Sequence, residues 1–546
     1  MHNFHSSRLN RNSARAILGL ALVLSASICA YGQAEKGSGS PAGRPERILL
    51  VLPFDNRTGQ PSLEWIREAA PEILGSRLVS AGFAPMSRAD RQYALDHLGL
   101  PQGFHPSRAS SLKLAETLDA DSIVVGSYLT DGTGIVAEAR LVDVPRLRMS
   151  EPVTARGEMR DLIAVFDSLA WKLTRQLDPS FNVAQETFVA AGAGLHLDAF
   201  EQYIRGITEP DQAERLRHLN QAVTLSPGFS QAWMALGRED YNGQQYEQAA
   251  AAFAKVGRND PDALEAGFYR GLALLFSGGY DQAEEAFGGV ARILPLAEVL
   301  NNQGVAVSRR GKDGTALFRQ AVAADPNNSD YHFNLAVSLN RQGNGPEALK
   351  VLAQCLRLRP NDTEAQGLDR NWTAPAAAPT EGTDAEAKAD PLERIVRTFD
   401  AQAFRQAALM LDQVDAAGLA ALPPLDRAQK LAGQAKGYLD RGLLLEAERL
   451  YQSSVAADAK IAEAHTGLAQ VRERTGDAET ARKEARAALE LGPSADAYLV
   501  LGRLDIAAGD TSDAGREADE ALKLAPENRA AQELRRQIET REGQKK

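Results

Sequence analysis

Between residues 48 and 179 the apolar positions change period several times. Ile48-Leu-Leu-Val-Leu-Pro53 is a continuous apolar run, the pattern of a strand buried on both faces. Asn56-Arg57-Thr58-Gly59 reads as a turn, and Leu63, Ile66, Ile73, Leu74 and Leu78 recur at helical spacing. A short strand is expected near 83–86, with helices over 89–98 and 109–118. The runs 122–129 and 135–142 flank Asp131-Gly132-Thr133-Gly134 and predict a hairpin. An amphipathic helix over 162–177 closes this α/β pattern.

From about Leu197 the apolar positions keep a helical period, and a longer repeat overlies it. Pro227, Pro261 and Pro295 are 34 residues apart, as are Pro326 and Pro360, Ala249 and Ala283, and Phe253 and Phe287. A 34-residue unit is the mark of a helix–turn–helix solenoid. In the unit 230–259 with Pro261 behind it, Trp233 and Leu236 supply apolar bulk. Gly237 and Ala249 allow close helix approach, Phe253 fills the gap, and Pro261 stops the second helix. The unit 329–362 repeats this with Leu335, Ala336, Gly343, Ala348, Leu352 and Pro360. The unit around Gly304 is about two residues shorter in its inter-helix turn.

Residues 371–390, with Pro375, Pro379 and Gly382, read as a flexible linker or an irregular loop. Helical periodicity returns at Leu392. Ala447 and Ala481 restore the 34-residue spacing, and Pro493 and Pro526 lie 33 apart. The charged stretch around Ala530, Leu534 and Ile538 suits a capping helix with a polar outer face.

The 546 residues carry 61 basic and 72 acidic side chains, a net charge of −11, and 44% apolar and 24% charged residues. That composition is globular and argues against a largely disordered chain. Acidic balance without a basic block makes a poor nucleic-acid or anionic-membrane binder. Aromatics are only 6%, so small-residue helix contacts are expected to dominate. Arg8, Arg11 and Arg15 precede the apolar run 16–28, and small residues follow it. This reads as a secretory signal peptide over 1–34, cut after Gly32 or Ala34, then a Gly/Pro/Ser-rich tether over 35–47. The run is shorter than the ~20 residues of a membrane anchor, and a lipoprotein would need Cys29 acylated behind a small residue, where Ile28 stands. No later segment is apolar enough to cross a membrane. Removal of Cys29 leaves Cys355, which falls in an apolar helical pattern as a small core residue.

The 34-residue units resemble tetratricopeptide repeats, with small residues near positions 8, 20 and 27, an aromatic or apolar residue near 24 and proline at 32. The resemblance covers 195–370 and 391–528, with 529–546 as capping helix and tail. It implies an all-α superhelical solenoid in two blocks whose concave face binds extended peptides or helices of other proteins. Residues 48–179 resemble the amino-terminal α/β domain of TolB through Val51-Leu-Pro-Phe-Asp-Asn56 and Ala120-Asp-Ser-Ile-Val-Val-Gly126. Glu138-Ala-Arg-Leu-Val-Asp143 and the join Ala199-Phe-Glu-Gln-Tyr-Ile-Arg-Gly206 extend the likeness. TolB's β-propeller has no counterpart here. The fold class expected is thus an α/β domain followed by an all-α solenoid.

No catalytic constellation emerges. There is no His-Glu-x-x-His, Cys-x-x-Cys or Gly-x-Ser-x-Gly, and Arg310-Gly-Lys-Asp313 is an inter-helix turn lacking the features of a phosphate loop. The histidines after residue 34 have no ligand spacing to one another, so no metal or cofactor is expected. Asp55, at a strand end, reads with Asn56 as a turn cap; Asp121 and Asp143 are the other carboxylates noted in this domain. The candidate site is the solenoid's inner face. By resemblance, an asparagine at repeat position 6 hydrogen-bonds a ligand backbone, and Asn302 and Asn334 hold that position in adjacent units. Tyr269 and Ala235 hold it in preceding units, so the ladder is partial. Arg238, Tyr241, Phe268, Arg309, Phe333 and Arg341 add aromatic and cationic groups typical of binding hot spots. The expectation is a non-enzymatic scaffold or adaptor in bacterial envelope complexes, binding protein segments and no nucleic acid. Its expected address is the periplasm, with outer-membrane association or secretion as alternatives. The competing reading makes the α/β domain the contacting module in envelope or outer-membrane assembly, with the repeats as a spacer.

Overall fold

The computed structural model describes residues 48–101, 107–132, 134–190, 192, 194–258, 260, 262–374, 391–399, 415 and 417–544. The leader and tether read over 1–47, most of the linker, and Asn259 and Pro261 lie outside these residues. The chain forms two compact units. One comprises the described residues of Glu209–Asp412, the other those of Ser40–Thr208 and Gln413–Lys546.

In the discontinuous unit, β1 (Ile48–Val51), β2 (Asp55–Asn56), β3 (Ala84–Pro85), β4 (Ser122–Asp131), β5 (Gly134–Asp143), β6 (Arg148–Met149) and β7 (Val153–Glu158) form one mixed sheet. Its order is β3-β1-β4-β5-β6, with β2 on β4 and β7 on β5. β1 runs parallel to β3 and β4, while β4 and β5 form the expected antiparallel hairpin, Ser122 opposite Asp143 and Asp131 opposite Gly134. Strand β7 is not among the expected elements, although it alternates: Val153, Ala155 and Gly157 turn inward while Thr154, Arg156 and Glu158 are exposed.

Helices α1 (Ile66–Ser80), α2 (Arg88–His97), α3 (Arg108–Thr117) and α4 (Leu162–Leu177) cover the sheet. Both faces of β1 are sealed, which its unbroken apolar run requires: Leu49, Leu50 and Val51 are all buried. Leu50 and Leu52 join Leu95 of α2 and Leu114 of α3 in one cluster. Phe54 meets Phe166 of α4 edge-on at 5.7 Å. The carboxylates noted beforehand serve local structure. Asp121 accepts from the Ile48 amide at 3.0 Å, and the Arg146 guanidinium and amide hold the Asp143 carboxyl below its ordinary pKa. Asn56 closes its turn by accepting from the Thr58 amide.

Two further helices, α5 (Gln185–Ala190) and α6 (Leu197–Thr208), belong to this unit. The Tyr203 hydroxyl of α6 lies 3.4 Å from Glu72 of α1, and Arg205 reaches the Ser62 carbonyl.

The inserted unit holds α7 (Gln212–Leu225), α8 (Ser230–Asn242), α9 (Tyr246–Phe253), α10 (Ala263–Phe276), α11 (Tyr280–Ala291), α12 (Ala297–Arg309), α13 (Thr315–Ala324), α14 (Ser329–Arg341), α15 (Gly345–Leu358) and α16 (Thr363–Thr373). The repeat signature has a direct steric origin. A Cβ on Gly237, Gly271 or Gly304 would sit within 2.7 Å of the ring of Phe253, Phe287 or Phe318 respectively. Glycine on one helix therefore lets phenylalanine on the next fill the space where its side chain would be. The third glycine–phenylalanine pair is two residues closer in sequence than the others, which is the shortened turn.

The remaining helices, α17 (Pro424–Asp440), α18 (Leu444–Ala457), α19 (Ala462–Arg474), α20 (Ala478–Leu491), α21 (Ala495–Ala508), α22 (Thr511–Leu524) and α23 (Arg529–Gln544), share the sheet's unit. Glu448 of α18 is fully buried there. It accepts from the Ala184 amide at 3.0 Å and from the Thr187 hydroxyl, and it pairs with Arg472 of α19 at 2.5 Å. At the end, Ala531, Leu534 and Ile538 of α23 are buried while its charges face outward.

Residues 391–399 correct an expectation. Their periodicity reads as the start of the second helical block, yet they contain no helix and belong to the inserted unit. Their polar backbone is satisfied by side chains of α12 and α14 instead of by helical turns.

Candidate peptide-binding groove

The candidate residues lie on α8, α10, α12 and α14, the first helix of each successive pair. Along the last three of these helices runs the extended segment Pro391-Leu-Glu-Arg-Ile-Val-Arg-Thr-Phe399. Asn334 donates from Nδ2 to the Arg394 carbonyl at 2.8 Å and accepts the Arg394 amide at 2.7 Å. Asn302 does the same to Val396, donating at 2.7 Å and accepting at 3.0 Å. A carboxamide has the donor and acceptor of a peptide group, so each asparagine pairs with one residue as a neighbouring strand would. The spacing of two residues between Arg394 and Val396 matches an extended chain crossing two adjacent repeats.

Asn301 is a participant that the sequence reading missed. Its Nδ2 donates to the Arg394 carbonyl at 3.1 Å, and its Oδ1 accepts from Asn334 at 2.8 Å. All three asparagines are buried. The doublet Asn301-Asn302 was the available signal, since two adjacent buried amides need several partners.

Side chains of the segment alternate between the two ends of the helices. Arg309 and Arg341 occupy the last turns of α12 and α14, where the helix dipole favours cations. Both pair with the buried Glu393 carboxylate, Arg309 at 3.0 Å, and the Ser308 hydroxyl also donates to it. Burial pushes the Glu393 carboxyl up, but the bonds from Ser308 and Arg341 outweigh this and hold it below its ordinary pKa. Arg341 also donates to the Pro391 carbonyl at 2.7 Å.

Arg394 points to the other ends. Asp362 caps α16 by accepting the Ala365 amide at 3.1 Å, which fixes its carboxylate. Arg394 meets that carboxylate with two bonds, at 2.6 and 2.8 Å, and reaches Asp330 and Glu364 at 2.9 Å each. Its guanidinium lies 3.6 Å from the centre of the Phe333 ring. The arginine in turn holds the Asp362 carboxyl below its ordinary pKa.

Further along, Ile395 packs on the main core of this unit, and Val396 packs with Ala297, Leu300, Ala321 and Tyr331. The Arg397 guanidinium lies 4.8 Å from the Phe276 ring. Phe399 meets Phe268 at a centroid distance of 5.3 Å. Six candidates thus converge on one segment: Asn302, Asn334, Arg309, Arg341, Phe333 and Phe268. Phe268 and Phe333 are themselves fully buried, so they act as the floor of the groove rather than as free anchors. Of the other two, Arg238 pairs with Glu265 at 2.7 Å, and Tyr241 meets Tyr246 and Tyr269 edge-on and Phe276 at a tilt, where burial pushes its phenol up to about 12 and Arg397 of the segment opposes the shift.

In the other unit, Gly433 and Gly467, 34 residues apart, line a cavity of about 490 Å³ together with Lys436, Tyr451, Glu463, Thr466 and Asp496. Neither glycine carries a side-chain carboxamide, so the repeat position held by Asn302 and Asn334 has no hydrogen-bonding side chain in these two units. Cys355 is buried and its thiol is pushed up to about 11 by that burial, as a core residue's would be. Among the described residues no group of three or more histidine, cysteine, aspartate or glutamate side chains is placed to hold a metal, and no helix is long and apolar enough to cross a membrane.

Family models described as tetratricopeptide repeat match residues 234–298, 309–370 and 433–496. Anaphase-promoting complex subunit 3 of Schizosaccharomyces pombe is 26% identical over 161 residues, 29% of this chain and 24% of that protein. The chain therefore spans about a quarter of the length of that curated relative. Among solved structures, MamA from residue 41 to its end, of Desulfovibrio magneticus RS-1, is 21% identical. It covers 31% of this chain and 100% of its own, with a TM-score of 0.28. YrrB, described as a TPR protein with an unusual peptide-binding site, is 15% identical, covers 37% of this chain and 99% of its own, and has a TM-score of 0.28. Behind its mixed α/β sheet, the chain carries tetratricopeptide repeats.

Proposed function

We propose that this protein is an exported, non-enzymatic adaptor whose groove along α10, α12 and α14 binds extended segments of other proteins. One observation carries the reading: Asn302 and Asn334 each make two hydrogen bonds to the backbone of an extended segment. Such pairing recognises the peptide group itself, and a segment supplied by another chain offers the same group. Tetratricopeptide repeats are protein-interaction folds, which agrees with a binding role. The two-block arrangement of the repeats and the TolB-like type of the sheet domain belong to this reading. So does a periplasmic address, which rests on the apolar run 16–28 behind three arginines.

The test is affinity capture from envelope extract with the full chain, beside an Asn302→Ala/Asn334→Ala variant. Point variants serve better than deletion of the sheet domain, because Glu448 and Arg472 are buried against Ala184 and Thr187. A partner lost from the double variant and cross-linking to α12 or α14 supports the groove. A partner retained by it sinks the proposal. Cell fractionation tests the address, and recovery of the uncleaved chain in the cytoplasm would overturn it.

A further inference from the structure

The groove is already filled, and its filling defines what fits. Resting on the peptide-binding reading above, we infer that residues 391–399 are a built-in occupant, and that the groove's partner is an extended segment of the same pattern which must displace it. That pattern is a carboxylate, an arginine, two apolar residues, a second arginine and, two positions on, an aromatic.

Each position has its own complement. The carboxylate faces Ser308, Arg309 and Arg341; the first arginine faces Asp330, Asp362 and Glu364 over the Phe333 ring. Reversing these two residues would set like charges against each other at both ends, so the groove selects the order of charges as well as their number. Apolar side chains follow at the places of Ile395 and Val396, then a cation on Phe276 and an aromatic on Phe268.

The segment is held as a ligand is held. Its backbone pairs with side-chain amides from residues 60 and 94 positions away in sequence, and it forms no helix or strand of its own. With the segment in place Asn301, Asn302 and Asn334 are buried and hydrogen-bonded, so a displacing segment has to offer them the same backbone partners. An occupant tethered in the same chain acts at an effective concentration of order millimolar. A free segment with an intrinsic Kd of about 10 μM would then bind roughly 100-fold more weakly than to an empty groove.

The probe is a fluorescein-labelled peptide, Pro-Leu-Glu-Arg-Ile-Val-Arg-Thr-Phe, titrated by anisotropy against the full chain. Arg394→Glu places a carboxylate among Asp330, Asp362 and Glu364 and should expel the internal segment. The probe is expected to bind this variant at least tenfold more tightly than the unaltered chain. A peptide carrying the same arginine-to-glutamate change should bind at least tenfold less tightly than the probe. Equal affinity of the two chains for the probe would overturn the built-in occupant. Adding Asn302→Ala/Asn334→Ala to Arg394→Glu should abolish binding. If it does not, the groove reading itself fails, which separates the two failures. Should charge reversal cost the fold, Glu393→Ala gives a milder release, and probe binding no tighter than to the unaltered chain overturns the inference there. As a second readout, unlabelled peptide should raise the Tm of the released variant and leave that of the unaltered chain in place. A rise of equal size in both would again remove the occupant.

Discussion

The Asn334 carboxamide and the Arg394 backbone form a closed two-bond pair, donating at 2.8 Å and accepting at 2.7 Å. It belongs to a network in which Asn334 also donates to Asn301, and Asn301 donates to Asn302. Asn334→Ala removes both bonds to Arg394; the Arg394 carbonyl keeps Asn301 as a donor, while the Arg394 amide is left unpaired in a largely buried site. The expected cost is about 1–3 kcal/mol for a buried unpaired group. Hydrogen exchange locates the loss. In the unaltered chain the Arg394 and Val396 amides should exchange slowly, and in Asn334→Ala the Arg394 amide should lose at least tenfold of its protection. Unchanged protection at Arg394 would mean the pair does not hold the segment.

Gly271 and Phe287 predict a contrast between two glycine-to-alanine substitutions. A Cβ at Gly271 would lie 2.6 Å from the Phe287 ring, and that ring is fully buried. Gly271→Ala should destabilise by about 1–3 kcal/mol through overpacking. Gly433, inside α17, has nothing within 4 Å of the corresponding position. Gly433→Ala should therefore stabilise by up to about 1 kcal/mol, the ordinary helix preference for alanine. Chemical denaturation of both variants checks the opposite signs.

Glu448 joins the second run of helices to the segment that follows the sheet. It is fully buried, and burial pushes its carboxyl up while Arg472 opposes the shift. Glu448→Ala would leave Arg472 buried without its carboxylate and the Ala184 amide without an acceptor. Breaking a buried pair from one side costs about 3–5 kcal/mol. The loss should appear in the unfolding of the unit containing Trp171, whose indole donates to the Val183 carbonyl at 2.8 Å close to this contact. A change below about 1 kcal/mol in denaturant titration would contradict the role assigned to Glu448.

The repeat period made the groove walls legible. Asn302 and Asn334, and likewise Arg309 and Arg341, recur at equivalent places in successive units, so identifying the repeat also aligned the groove. The occupant was hidden by the same kind of pattern. Leu392, Ile395, Val396 and Phe399 fall at the spacing of one helical face. The segment is nevertheless extended, because asparagine side chains satisfy the Arg394 and Val396 backbone and separate pockets take the side chains. Tertiary context overrides a local period here. The pairing of Glu448 with Thr187, 261 residues apart, was hidden for a related reason. A repeat period reports neighbours along the solenoid and carries no signal for a contact that closes the chain back on its first domain.

Glu393 gives the docked segment a pH dependence with a definite sign. Its ordinary pKa is 4.5, and the bonds from Ser308 and Arg341 hold the folded value lower despite burial. A carboxyl whose folded pKa is depressed stabilises the fold above its unfolded value, and that contribution is lost as the pH falls through the folded one. Glu393→Gln removes the charge that Arg309 and Arg341 face, at an expected cost of about 1–3 kcal/mol near neutral pH. The difference in Tm between the two chains should be full at pH 7 and at pH 5.5. It should shrink only once the pH drops below about 4.5, as protonation removes the same charge from the unaltered chain. Scans over this range test both sign and window. A gap that persisted undiminished through the acid range would mean that the Glu393 contribution comes from packing, with its ion pairs to Arg309 and Arg341 adding nothing.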